Sequence, residues 1–145
     1  MFGGMANKIG VLAKKATGGA SDVTPNAVDW SNVTYIGGLG HYLTEKQITG
    51  INTGITLEAT YAGAFGTLYV GVFPTQQNYE GVYVADLYAA GLNDIASGST
   101  FSVGNNEWVV FGVSIFGGEA GEFETVTVTN VSDGNATLDT FNINV

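Results

Sequence analysis

The chain has 145 residues and a net charge of −9, with 45% apolar residues, only 12% charged residues and 22 glycines. It contains no cysteine and one histidine, His41, and its four basic residues are all lysine. This excludes disulfides, thiolate metal sites, cysteine nucleophiles and guanidinium clamps on phosphate or carboxylate, and leaves one domain long enough to bury a core.

Charge is segregated along the chain. Residues 1–21 carry Lys8, Lys14 and Lys15 and no acid, a charge of +3; residues 22–145 carry Lys46 against thirteen acids, a charge of −12. A body of that sign repels nucleic-acid phosphates instead of releasing their counterions, so no nucleic-acid partner is expected. The longest apolar run near the N-terminus, Ile9 to Ala13, has five residues. A signal-peptide core needs about 7–15 and a membrane span about 20, so no membrane partner is expected. From Asn7 to Ala16 a short helix would place Ile9, Leu12 and Ala13 on one face, flanked by Lys8 and Lys15. Glycine pairs at 3–4 and 18–19 would act as hinges. The expected division is a basic arm over 1–21, extended or short-helical, and an acidic body over 22–145. The arm reads either as a disordered leader or as a segment that docks on an acidic neighbour, another copy included. In the second case Phe2, Lys8, Ile9, Leu12, Lys14 and Lys15 are its partner-binding residues.

The body reads as strands and turns. A first strand is expected at Asn32–Ile36. Ile55–Tyr61 alternates, with Ile55, Leu57, Ala59 and Tyr61 on one face and Thr56, Glu58 and Thr60 on the other. Thr67–Phe73 is apolar on both faces, which suits a central strand or contact with another subunit. Val82–Leu87 and Thr100–Val103 are further candidates. Trp108–Phe116 is again apolar on both faces. Glu124–Asn130 alternates Val126 and Val128 with three threonines, and Thr137–Val145 places Phe141, Ile143 and Val145 together. Gly104-Asn105-Asn106 and Ser132-Asp133-Gly134-Asn135 supply residues that tolerate positive φ between strands. At this spacing of strands and turns the expected fold is all-β, an antiparallel immunoglobulin-like sandwich, with a jelly roll as the alternative. Trp30 or Trp108 would fill its core without an inter-sheet disulfide.

Few residues carry chemistry. His41 follows Gly37-Gly38-Leu39-Gly40 and reads as a loop residue; no nucleophile elbow or phosphate loop accompanies it. Glu119, Glu122 and Glu124 are the one carboxylate cluster with the makings of a glycosidase pair. They read more simply as a solvated acidic loop. They, or Asp133 with Asn135, offer oxygen ligands to a hard cation without the spacing of a calcium loop. No cofactor and no catalytic site is therefore expected. Tyr79, Tyr83 and Tyr88 could form an exposed row that stacks on a glycan, against the simpler reading that they fill core and subunit contacts.

Asp22-Val23-Thr24-Pro25-Asn26-Ala27-Val28-Asp29-Trp30, the stretch Ser99–Val113 and the stretch Val126–Phe141 together resemble small immunoglobulin-like domains in structural proteins of tailed bacteriophages. The resemblance implies a non-enzymatic virion protein, assembled in the host cytoplasm, whose partners are other copies of itself and major capsid or tail proteins. A capsid decoration or cement protein, homo-oligomeric and anchored by the arm, is the expected role. A tail or fibre adaptor at the head–tail region is the alternative, and a carbohydrate-binding module is the alternative from another class.

Overall fold

The structure is a computed structural model that describes residues 20–31, 34–36, 41–63, 67–79, 84–114 and 123–144. Within them run β1 (Thr34–Ile36), β2 (His41–Gln47), β3 (Ile55–Gly63), β4 (Leu68–Phe73), β5 (Asn93–Ile95), β6 (Ser99–Val103), β7 (Trp108–Ser114), β8 (Phe123–Asn130) and β9 (Ala136–Asn144). One sheet has the order β1-β2-β7-β4-β5 and the other β6-β3-β8-β9. All strand pairings are antiparallel.

This is an all-β sandwich, and its connectivity is immunoglobulin-like. In β1-β2-β7-β4 and β3-β8-β9 the strands follow the A-B-E-D and C-F-G order of a constant-type domain. Strands β5 and β6 are inserted between the D and E equivalents and extend one sheet each. The jelly-roll alternative is set aside by this order.

The core follows from alternation. Ile55, Leu57 and Ala59 of β3 and Val126 and Val128 of β8 face Val109, Phe111 and Val113 of β7 and Leu68 and Val70 of β4. Trp30, wholly buried, takes the centre. Its ring meets Phe111 edge-on at 5.3 Å and stacks with Phe141 at 6.0 Å. Three hydrogen bonds fix it: its indole N–H donates to the Val109 carbonyl (3.2 Å), its backbone N–H to Asp139 Oδ2 (2.8 Å), and its carbonyl accepts from Thr44 Oγ1 (2.9 Å). Trp30 precedes β1, so it comes from the segment that closes the sandwich edge rather than from a sheet strand. Trp108 lies at the start of β7, half-buried.

The two strands apolar on both faces are central in their sheet, and their second face is covered by the chain itself. On the outer side of the five-stranded sheet Leu43, Val110 and Tyr69 pack beneath Tyr79, Val84, Leu87 and Leu92. The cover is the β4–β5 connection, whose described residues 74–79 and 84–92 form a cap. Gly112 permits its close approach: a Cβ there would stand 3.3 Å from Leu92 Cδ2, 3.4 Å from Leu43 Cγ and 3.5 Å from Leu87 Cδ2.

Four expectations change. Residues 84–87, read as part of a strand, are not strand but lead into the cap's turn at 87–91. His41, read as a loop residue, is the first residue of β2 and is buried. The Gly104–Asn106 turn joins β6 to β7 across the two sheets rather than within a hairpin, with Asn106 at φ 68°. Ser21, placed on the arm by charge, belongs to the body: its N–H donates to the Gly50 carbonyl (3.0 Å), and its carbonyl accepts from Asn52 (2.7 Å).

Candidate functional site

The cap and the sheet rim beneath it enclose an open cleft of about 180 Å³ lined by His41, Tyr69, Ala85, Asp86, Leu87, Tyr88 and Ser114. The β2–β7 ladder places His41 opposite Ser114, and β4 brings Tyr69 alongside Gly112. Because side chains alternate across a strand, His41, Leu43 and Glu45 of β2 all face the cap.

Each wall is held by identifiable contacts. His41 Nε2 lies 3.2 Å from the Ala85 carbonyl, so that nitrogen carries the proton when it donates there. Asp86 Oδ1 accepts the N–H of Tyr88 at 2.9 Å, closing an Asx turn. The Ala90 N–H donates to the Asp86 carbonyl (3.1 Å) and the Leu92 N–H to the Leu87 carbonyl (3.0 Å), which winds the cap's last turn. Glu45 fastens the other end, its two carboxylate oxygens accepting the N–H groups of Gln77 (3.0 Å) and Asn78 (2.9 Å). Tyr79 is buried below and donates its hydroxyl to the Ala90 carbonyl at 3.3 Å.

The three tyrosines do not form an exposed row, and Tyr79 follows the simpler reading of a core residue. Tyr79 is in the cap's apolar core, Tyr88 is 54% exposed at the cleft mouth, and Tyr83 lies outside the described residues. Tyr88 meets Tyr69 edge-on at 5.4 Å with the ring planes at 80°. Interaction of its hydroxyl with the Asp94 carboxylate, followed by desolvation, pushes its pKa up to about 12. Burial, followed by the nearby Glu45 carboxylate, pushes Tyr79 up to about 12 as well.

Of the carboxylate cluster only Glu124 is described. Glu119 and Glu122 lie outside the described residues, whereas Glu124 is a wholly buried residue on the inner face of β8, not part of a solvated loop. Across the ladder it faces Gly63, where an added Cβ would come within 2.8 Å of Glu124 Oε2. Asp133, weighed as a cation ligand, accepts a hydrogen bond from Thr24 Oγ1 at 2.8 Å and so ties the N-terminal segment to the β8–β9 turn. Among the described residues no three His, Asp or Glu side chains converge as a metal site, and no described helix is long and apolar enough to cross a membrane. The arm residues Phe2, Lys8, Ile9, Leu12, Lys14 and Lys15 all lie outside the described residues.

The cleft as a whole was not legible in the sequence. Of its lining residues only His41, beside glycines, and Tyr88, weighed as a stacking aromatic, stood out, and the others come from β4, β7 and the cap. What the arrangement offers chemically is one exposed aromatic ring, one exposed carboxylate, and a hydroxyl and an imidazole on the floor. No family model, no curated protein and no solved structure matches the chain.

Proposed function

We propose that the protein is a non-enzymatic structural component of a tailed-phage virion, most simply a decoration or cement protein whose basic N-terminal segment fixes an acidic sandwich to a larger assembly. The observation that carries this reading is the charge division: +3 over residues 1–21 against −12 over the rest. The body supports it by closing its own core on both sides of the five-stranded sheet, so that it needs no partner to bury its apolar surface.

A body this acidic repels other free copies, which keeps it dispersed until a cationic segment bridges it to a neighbour. Phe2, Ile9 and Leu12 supply apolar contact and Lys8, Lys14 and Lys15 the complementary charge. Each attachment is weak, and a lattice of copies makes it effective. Partners are then other copies and the capsid protein, and the location is the virion.

Immuno-electron microscopy of tailed-phage particles bearing this chain, with antibody raised against residues 20–144, tests the assignment. A regular array over the head is the expected result. Label confined to the head–tail junction or fibres would transfer the role to a tail adaptor, and particles without label would overturn the virion reading.

A further inference from the structure

We propose that the cleft between the cap and the rim of the five-stranded sheet binds one ring of a neutral sugar. This does not draw on the virion reading; it stands on the cleft alone.

The shape and the chemistry agree. At about 180 Å³ the cleft is well below the roughly 300–1,000 Å³ of sites for larger organic ligands, which limits it to a single ring. Tyr88 is the most exposed of the large apolar side chains described, at 54%. Its ring is not loose. It packs edge to face with Tyr69 on one side and is fixed by the Asp86 turn at its backbone, so it is presented with little ordering left to lose on binding. The C–H face of a pyranose suits such a surface, and its hydroxyl groups suit the exposed Asp86 carboxylate as acceptor, above a floor formed by Ser114 and the buried His41.

Charge narrows the class further. Among the described residues no lysine lines the cleft, while Asp86 lines it and the Asp94 carboxylate acts on the hydroxyl of its aromatic wall. Phosphate, sulfate and the carboxylate of an acidic sugar would meet repulsion without a compensating cation. The ligand is therefore an uncharged hexose, deoxyhexose or N-acetylhexosamine. With one ring and one stacking face the affinity of a single site is weak, and a surface carrying many copies would raise it by avidity.

The test uses the complete chain and its single histidine as a reporter. The His41 ring protons and the tyrosine ring protons are followed by NMR while glucose, galactose, rhamnose and N-acetylglucosamine are added in turn, with N-acetylneuraminic acid and inorganic phosphate as anionic probes. The expected result is a saturable shift of His41 and Tyr88 with at least one neutral sugar and none with the anions. Tyr88→Ala should weaken it about tenfold or more, whereas Tyr88→Phe, which keeps the ring, should retain it. Thr127→Ala, on the far sheet, should change nothing, and amide spectra of each variant confirm that it is folded. Absence of a saturable shift with all four neutral sugars would overturn the proposal, as would a response to the anions alone or one unchanged by Tyr88→Ala.

Discussion

The carboxylate of Glu45 accepts the backbone N–H of Asn78 at 2.9 Å, and through that bond a sheet residue holds the turn from which the cap begins. Asn78 sits at φ 56°, a left-handed conformation that asparagine tolerates, and the adjacent Gln77 N–H completes a two-pronged clamp on the same carboxylate. Glu45→Ala removes both acceptors. We expect a loss of about 1–2 kcal/mol, since the carboxylate is partly exposed and bonds to charged groups are worth about 1.5–3 kcal/mol each at most. Hydrogen exchange at Gln77 and Asn78 should accelerate before that of β7, and equal acceleration everywhere would show that the clamp is not local.

Gly112 tests the cap's closeness from the other side. Its neighbours Leu92, Leu43 and Leu87 leave no room for a branched side chain. Gly112→Val should cost about 1–3 kcal/mol through overpacking and should loosen residues 84–92 while leaving the Trp30 environment intact. Tryptophan fluorescence together with chemical denaturation reads both effects.

Trp30 is the single residue on which the inter-sheet core most depends. Trp30→Ala should destabilise by about 3–5 kcal/mol, the range for a buried aromatic truncated to alanine. Asp139→Ala, which removes only the acceptor of the Trp30 N–H, should cost far less, about 1–2 kcal/mol. Urea unfolding of the two variants gives the order, and a reversed order would contradict this placement of the ring.

Alkaline pH should open the cap. Tyr79 and Tyr88 are both raised from 10.0 to about 12 in the folded chain. Between those values the unfolded chain has lost protons that the folded chain keeps. Stability is therefore intact below pH 10 and falls as pH rises through 10 towards about 12. Tyrosinate absorbance should show two late-titrating groups in the folded protein. Tyr79→Phe should remove one of them and flatten the decline in stability.

The sequence made the sandwich legible because alternation is a direct imprint of a half-buried strand. Val126, Val128, Phe141 and Ile143 announce their face without any tertiary information. Strand β2 has no place among the expected strands, because Thr44, Glu45, Lys46 and Gln47 are all polar and break any apolar alternation after Leu43. The carboxylate of Glu45 makes sense on a strand only once Gln77 and Asn78 are folded over it. For the same reason Thr67–Phe73 and Trp108–Phe116 left open whether a second subunit or the chain itself covers their outer face. Periodicity records burial, not what does the burying. Nor could local sequence tell a hairpin from a crossover: Gly104-Asn105-Asn106 and Asp133-Gly134-Asn135 have similar chemistry, yet the first changes sheets and the second does not. The cleft gathers residues from three strands and the cap, and no local pattern encodes such a meeting.

The proposed role of the charge division is tested most directly by co-sedimentation with purified tailed-phage heads that lack this chain. The intact protein should pellet with the heads, and Lys8→Glu, Lys14→Glu, Lys15→Glu combined should leave a folded body in the supernatant. Equal pelleting of the intact and charge-reversed proteins would contradict the account.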